Sequence, residues 1–461
     1  MDAPLRGLLE RTVRCRMGIT TLNHDDPEDG DPVVTETGSV GPDSRAVPGA
    51  RPGSLTGFAG AYFITLLGDR FAEIALPVLI LAVTHSPAAA GAVGVAIQAP
   101  TFLLALWLGG RVDRHSRRAL LVFSDAVRAV CFAVFAWLAS SEVASLWPYL
   151  VVGLVVGSGN VLFAIAGQAI LPQIVAGRQL VRANAMLEAG DALTTVSGPA
   201  VAGAVVAKVG AAVALLANAL SFVVSALLLG LGVKVSGGAR SSADDTGAAD
   251  QDDRPARGAR AMVGRALDQA GLVFGDRMQS SIQVALSALS AHGAAVVLAI
   301  IVLARSELGL SVARIGILLG AAGVGGLVAS AVTAKWPRFF STVQGIVVTV
   351  ALSAAFLALL AFARGFLWAL LANGLLDMAV TAAFIATASV RQQRTPANLM
   401  GRVTAVSIVC NAAARVVGVG GVGVLLTVFG GRAALLADAT VLAAAAAAAL
   451  ASVRADRSTT G

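Results

Sequence analysis

Asp69, Arg70 and Glu73 set two carboxylates and a guanidinium side by side inside an otherwise apolar stretch. Asp69 and Glu73 stand four apart and share one face of a helix, while Arg70 stands three before Glu73 and can neutralise one acid. The other acid then needs a separate partner, or it binds a proton reversibly. Reversible protonation in an apolar segment is the chemistry of coupling to a proton gradient. The plainer alternative is an ion cluster that only ties neighbouring helices together. Similar charges recur along the chain. Asp125 and Arg128 have the spacing of an intrahelical ion pair. Glu188 and Asp191 repeat that spacing; Glu188 reads as structural, and Asp191 can pair with Arg128 or with arginines of a nearby loop. Asp377 and Arg415 each have an asparagine (Asn373, Asn411) one turn away. A buried Asp377–Arg415 pair across a cavity is one arrangement, although sequence does not say whether they face each other. His292 reads as a packed, hydrogen-bonded side chain rather than a proton carrier.

The surroundings give these charges their meaning. The chain has 461 residues, 57% of them hydrophobic and only 13% charged, with mean hydropathy +0.80. Soluble proteins carry about 25% charged residues, so this is a polytopic membrane protein. Apolar segments fall at roughly 58–83, 88–110, 119–140, 146–170, 184–207, 211–233, 280–304, 312–334, 344–363, 366–390, 403–428 and 432–453. Each is close to the ~20 residues that cross a ~30 Å hydrocarbon core. The expected fold is an all-α membrane protein with 12 transmembrane helices in two six-helix bundles. Asp69 then lies ~16 Å deep, near the middle of the bilayer, where an unpaired charge costs ~2.5–3.5 kcal/mol on insertion scales.

Basic residues orient this layout. Of the 34 Lys and Arg residues, only Lys208, Arg305, Arg314, Arg364 and Arg432 fall in loops on one side, and Arg70, Arg128 and Arg415 lie within spans. All the others share the opposite side, which the positive-inside rule makes cytoplasmic. Both termini are therefore expected in the cytoplasm. The expected divisions are a disordered tail at 1–57, a first six-helix bundle at 58–233, a cytoplasmic linker at 234–279, a second bundle at 280–453 and a tail at 454–461. The tail is too polar to bury a core, and the later part of the linker, 256–276, could form an amphipathic surface helix.

An internal repeat supports two halves. A shift of 220 residues pairs Gly198 with Gly418, Gly203 with Gly423, Gly210 with Gly430, Asp191 with Asn411 and Asn218 with Asp438. A shift of 225 pairs Gly91 with Gly316. In the fifth span, Gly198, Pro199 and Gly203 combine a missing backbone donor with two sites of close helix approach, and are expected to bend the helix.

Between the second and third segments lies the dense cluster Gly109-Gly110-Arg111-Val112-Asp113-Arg114-His115-Ser116-Arg117-Arg118. A topology anchor is the simple explanation. The spacing Gly-x-x-x-Asp-Arg-x-x-Arg-Arg at this position, however, resembles the loop signature of the major facilitator superfamily. The likeness extends through Gly68-Asp69 with Ala75-Leu76-Pro77, Leu171-Pro172-Gln173-Ile174-Val175, Arg182-Ala183-Asn184-Ala185, Gly198-Pro199-Ala200-Val201-Ala202-Gly203 and Gly401-Arg402-Val403. These runs are similar to the branch that contains macrolide efflux permeases and the enterobactin exporter.

The resemblance implies a secondary exporter of a bulky, partly lipophilic compound, exchanged for protons in a rocker-switch cycle. Siderophore or lipid export is a related alternative, and a non-transporting receptor or scaffold on the same fold is a different one. Asp69, Arg70, Glu73, Asp191, Asp377 and Arg415 would serve protons and substrate. Gly109, Asp113, Arg114, Arg117, Arg118, Asp125 and Arg128 would form the conformational switch. The span-four arginine of many drug–proton antiporters is missing, since Val151 to Gln168 holds no basic residue.

Other chemistry is poorly represented. No nucleophile elbow, metal-ligand spacing or phosphate loop is present, and Gly323-x-Gly325-Gly326 sits inside an apolar span, where it reads as helix packing. Cys15, Cys131 and Cys410 are too scattered for a disulfide framework. The net charge of +7 belongs to membrane topology rather than to nucleic acid. The expected partners are a small-molecule substrate, protons and the lipid bilayer; no cofactor is implied, and a monomer is the default.

Overall fold

The computed structural model describes residues 54–108, 116–141, 143, 145–175, 178–233, 270–271, 273–396 and 399–460. Residues 1–53 of the tail expected at 1–57, and most of the linker, including most of its amphipathic segment, lie outside the described residues, while 54–57 belong to the first helix. The helices are α1 (Ser54–Thr84), α2 (Pro87–Leu108), α3 (Arg117–Ser140), α4 (Leu146–Ile174), α5 (Arg178–Val209), α6 (Ala211–Gly232), α7 (Arg277–Val302), α8 (Val312–Lys335), α9 (Val343–Ala361), α10 (Phe366–Arg394) and α11 (Met400–Thr460). A π turn, Leu303–Glu307, extends α7, and a single helical turn, Pro337–Phe340, precedes α9.

Local chemistry sets several helix starts. Ser116, Asp276, Ser311 and Thr342 each accept a backbone N–H from the first turn of α3, α7, α8 and α9, satisfying donors that a helix leaves unpaired. Outside, large apolar side chains such as Trp147, Leu220, Leu231, Leu367 and Phe429 stand exposed. Such a surface is stable only against lipid.

Among the described residues, eight helices are long and apolar enough to cross a membrane. Three of the four differences from the twelve expected segments have physical causes. In α1, Asp69, Arg70 and Glu73 interrupt the apolar run, and in α5 only Leu193–Val209 stays apolar beyond Asp191. The expected eleventh and twelfth segments are joined in α11, whose helical geometry breaks at Gly430 (φ 80°, ψ −179°). Contacts with α7 show that the two arms run antiparallel. Gln283 bonds Ser407 and Asn411, Gly418 abuts Ala291, and Gly431 abuts Leu303. The path then returns, with Asp438 on His292 and Ser452 on Ser281. The helix also continues through 454–460, where a tail was expected.

The first half packs through α1 with α5 and α6, α3 with α4 and α6, and α2 with α4; the second packs through α7 and α9 with α11, and α10 with α8 and α9. Two large interfaces join the halves: α2 with α11, and α5 with α8. Each is built on a glycine pair. A Cβ on Gly91 would stand 2.8 Å from the Cα of Gly423, and one on Gly203 would stand 2.6 Å from the Cα of Gly316. No side chain fits there, so the backbones meet directly. Both pairs lie toward the end where α1 runs into α2. Beside the first, the Ala88 N–H donates to Thr427 Oγ1 at 3.0 Å.

Candidate functional site: a charged cavity between the halves

The helix spacing of α1 brings Asp69, Arg70 and Glu73 to the wall of a central cavity of about 360 Å³. Gln98 of α2, Asn160 of α4 and Arg415 of α11 complete its polar lining. Phe132, Leu76, Ile80, Ile97, Val156, Val297 and Leu298 supply much of the apolar remainder. The cavity therefore presents a few fixed charges within an apolar wall, the general form of a small-molecule site.

Arg70 is the hub of the charges. Its Nη1 donates to Glu73 Oε2 at 3.2 Å, and its Nη2 donates to Asp191 Oδ1 at 3.0 Å and Thr195 Oγ1 at 2.7 Å. One guanidinium thus joins α1 to α5. Gly198 makes this possible: a Cβ there would lie 2.6 Å from the Arg70 Cβ. Pro199 lies inside α5, which continues to Val209. Gly198 makes room for Arg70, and Gly203 meets Gly316.

Arg128 lies below, 2% exposed, with its guanidinium carbon 4.4 Å from the Phe163 ring centroid and 4.3 Å from that of Phe222. Two aromatic faces stabilise the buried cation. Its Nη2 donates to Asp125 Oδ1 and its Nη1 donates to Asn160 Oδ1 at 3.3 Å. Ser225 donates to the other Asp125 oxygen at 2.6 Å and receives Thr65 Oγ1–H at 3.0 Å. Gly159 clears space, because a Cβ there would stand 2.9 Å from Arg128 Cγ. Asp69 reaches this network only at its edge, with Oδ2 4.0 Å from Arg128 Nη1.

Arg415 meets Gln98, whose amide oxygen, turned toward it, accepts from Nη2 at 3.0 Å and Nε at 3.2 Å. The Asp377–Arg415 pair considered from sequence is not formed. Asp377 faces a second chamber of about 180 Å³, which also includes Arg70, Glu73, Thr195, His292 and Asn373. Thr381 Oγ1 donates to its Oδ2 at 3.4 Å. Asp191 pairs with Arg70 rather than with Arg128. His292 is hydrogen-bonded, and its partner is an acid: its Nδ1 lies 2.7 Å from Asp438 Oδ2.

Of the loop signature, Gly109, Asp113 and Arg114 lie outside the described residues. Arg117 donates to the carbonyl of Ala169, and Arg118 to those of Leu229 and Gly230. These bonds close the ends of α4 and α6 within the first half, as cations at helix C-termini do. Sequence reasoning gave Gln98, Thr195 and Asp438 no role at the site. The first two are single polar residues with no spacing to mark them, and Asp438 was visible only as the repeat partner of Asn218. Among the described residues, no three His, Cys, Asp or Glu side chains converge as a metal site would require.

The architecture matches solved transporters. A bacterial homologue of the iron transporter ferroportin, in an inward-facing state, aligns over 85% of this chain and 98% of its own with 20% identity and a TM-score of 0.61. A bacterial homologue of the human lysosomal transporter Spinster, inward-facing and occupied, aligns over 87% and 96% with 13% identity and a TM-score of 0.66. The nucleoside transporter NupG aligns over 87% and 99% with 11% identity and a TM-score of 0.70. At these identities the likeness is one of fold. No curated protein matches the sequence. The family model of the Major Facilitator Superfamily matches residues 58–419, and with that match over most of its length the chain belongs to this superfamily, as a multi-pass membrane transporter and not an enzyme.

Proposed function

We propose that the protein is a secondary active efflux transporter that exports a lipophilic drug or secondary metabolite in exchange for protons. The observation that carries this reading is the ion pairing around the central cavity, where Arg415 is held by Gln98 rather than by an acid. Arg128 is committed to Asp125 and Arg70 to Glu73 and Asp191, so Asp69 is the acid left over. An acid held only at the edge of an ion-pair network, 4.0 Å from the Arg128 guanidinium, in the wall of a largely apolar cavity, is suited to exchanging a proton as substrate comes and goes.

The remaining parts of the reading follow from it. Twelve spans in two bundles of six, with both termini cytoplasmic in the cell membrane, put the glycine pairs Gly91–Gly423 and Gly203–Gly316 toward the outer side. In this arrangement the outer side is sealed and substrate is admitted from the cytoplasm or inner leaflet. Rocking the halves separates the glycine pairs, and an external proton on Asp69 accompanies release outward. The apolar cavity lining and the sequence resemblance to macrolide efflux permeases support a lipophilic cargo.

The test is compound accumulation across a chemically broad panel in an efflux-deficient host, with and without a protonophore. Lower accumulation of at least one lipophilic compound, abolished by the protonophore, is expected. Unchanged accumulation for every compound, at verified membrane expression, would contradict the reading.

A further inference from the structure

Arg70 and Glu73 line two cavities at once. On one side is the central cavity, and on the other the smaller chamber, with Gly293 and Val297 of α7 completing the shared wall. The smaller chamber is built by both halves. Thr195 and Pro199 of α5 face Leu319 and Ala322 of α8, and Asn373 and Asp377 of α10. Its walls must therefore part if the halves move.

Two acids of the second half are placed here without a fixed cation. Among the described residues, no Lys or Arg pairs with Asp377. Gly326 leaves space for its carboxylate: a Cβ there would stand 3.2 Å from Asp377 Oδ2. His292 also lines the chamber, with Asp438 of α11 holding its Nδ1 from behind. The titratable groups facing Asp377 across the chamber are thus Arg70 and Glu73 from α1 and His292 from α7; α5 and α8 contribute none to the lining.

The internal repeat supplies a control. Gly210 (φ 86°) and Gly430 (φ 80°) are repeat partners, and both break the helix at positive φ. Asn218 and Asp438 each follow eight residues later. Asn218 is buried and accepts from Ser221 Oγ at 3.2 Å. The fold thus accepts a neutral amide at this place, and the acid with its histidine is an addition of the second half.

Building on proton-coupled transport, we propose that the smaller chamber is a proton-binding site distinct from the substrate cavity. Asp377 takes up a proton from chamber water, and the His292–Asp438 pair sets how readily it does so. The Arg70–Glu73 pair is the wall through which the chamber's charge is felt in the central cavity. Protonation of Asp377 removes a negative charge from the chamber that Arg70 and Glu73 also line.

Infrared difference spectroscopy of the purified protein in lipid nanodiscs, titrated over about pH 5–9 without any transported compound, tests this directly. The expected result is a carboxylic acid C=O band that grows on acidification. One component of it should be lost in Asp377→Asn, have its midpoint moved by about one pH unit or more in His292→Gln and Asp438→Asn, and be retained in Asp69→Asn, which removes a separate component. Elution profile and thermal midpoint report whether each variant is folded. A band unchanged in Asp377→Asn, or no such band in the wild type, would overturn the proposal. Because no compound is transported, a failed accumulation panel would count against the exporter reading alone. Loss of the chamber with proton-driven export intact would count against this inference alone.

Discussion

Gly91 of α2 rests on Gly423 of α11 so closely that a Cβ on Gly423 would stand 2.9 Å from the Cα of Gly91. Their repeat partners, Gly316 and Gly203, make the other large contact between the halves, where a Cβ on Gly316 would stand 2.7 Å from the Cα of Gly203. Exchanging each residue for its partner turns one contact into the other. Two-fold pseudosymmetry is thus written into four glycines.

Closure at these pairs is a step of the proposed cycle, so filling them should stop it. Gly316→Val places two methyl groups against the α5 backbone, where the smallest side chain already collides. Transport is expected to fall about tenfold or more with near-normal expression. Full transport by Gly316→Val at normal expression would show that the contact does not close in the cycle.

Arg128 gives a stability prediction. Removing one member of a buried ion pair costs about 3–5 kcal/mol, because the partner is left charged and unsatisfied, whereas replacing both with apolar residues is often tolerated. Arg128→Ala should therefore lower the thermal midpoint in detergent markedly, and D125L/R128M should recover much of the loss. A double variant no better than the single would mean that the Phe163 and Phe222 stacking, not the charge pair, dominates.

Gly430 is a conformational requirement. Its φ of 80° with ψ near 180° belongs almost only to glycine, and Gly430→Ala should cost about 1–3 kcal/mol. Gly421→Ala is the matched control, since Gly421 has no positive φ and a Cβ there meets nothing within 4 Å. Equal melting temperatures for the two variants would contradict the assignment of strain to Gly430.

Much of this was legible in the sequence, for identifiable reasons. Spacing alone foretold the Arg70–Glu73 and Asp125–Arg128 contacts, because residues three apart on a helix are neighbours whatever surrounds them. The glycine repeat was legible because backbone contact leaves no alternative residue. Contacts between helices were not. Arg415 turned to Gln98 and Asp377 to the His292 chamber, because sequence fixes neither the rotation of a helix about its axis nor its partner. Nor does sequence show that Gly198 makes room for a side chain 128 positions earlier.

The central claim is that Asp69 couples protons to export, and proteoliposomes test it most directly. The measurement uses a compound drawn from the accumulation panel and compares uptake driven by an imposed pH gradient with exchange at equal pH. The wild type should accumulate compound against its gradient only when the pH gradient is present. Asp69→Asn should keep equal-pH exchange but lose gradient-driven accumulation. Gradient-driven accumulation by Asp69→Asn at the wild-type level would contradict the account.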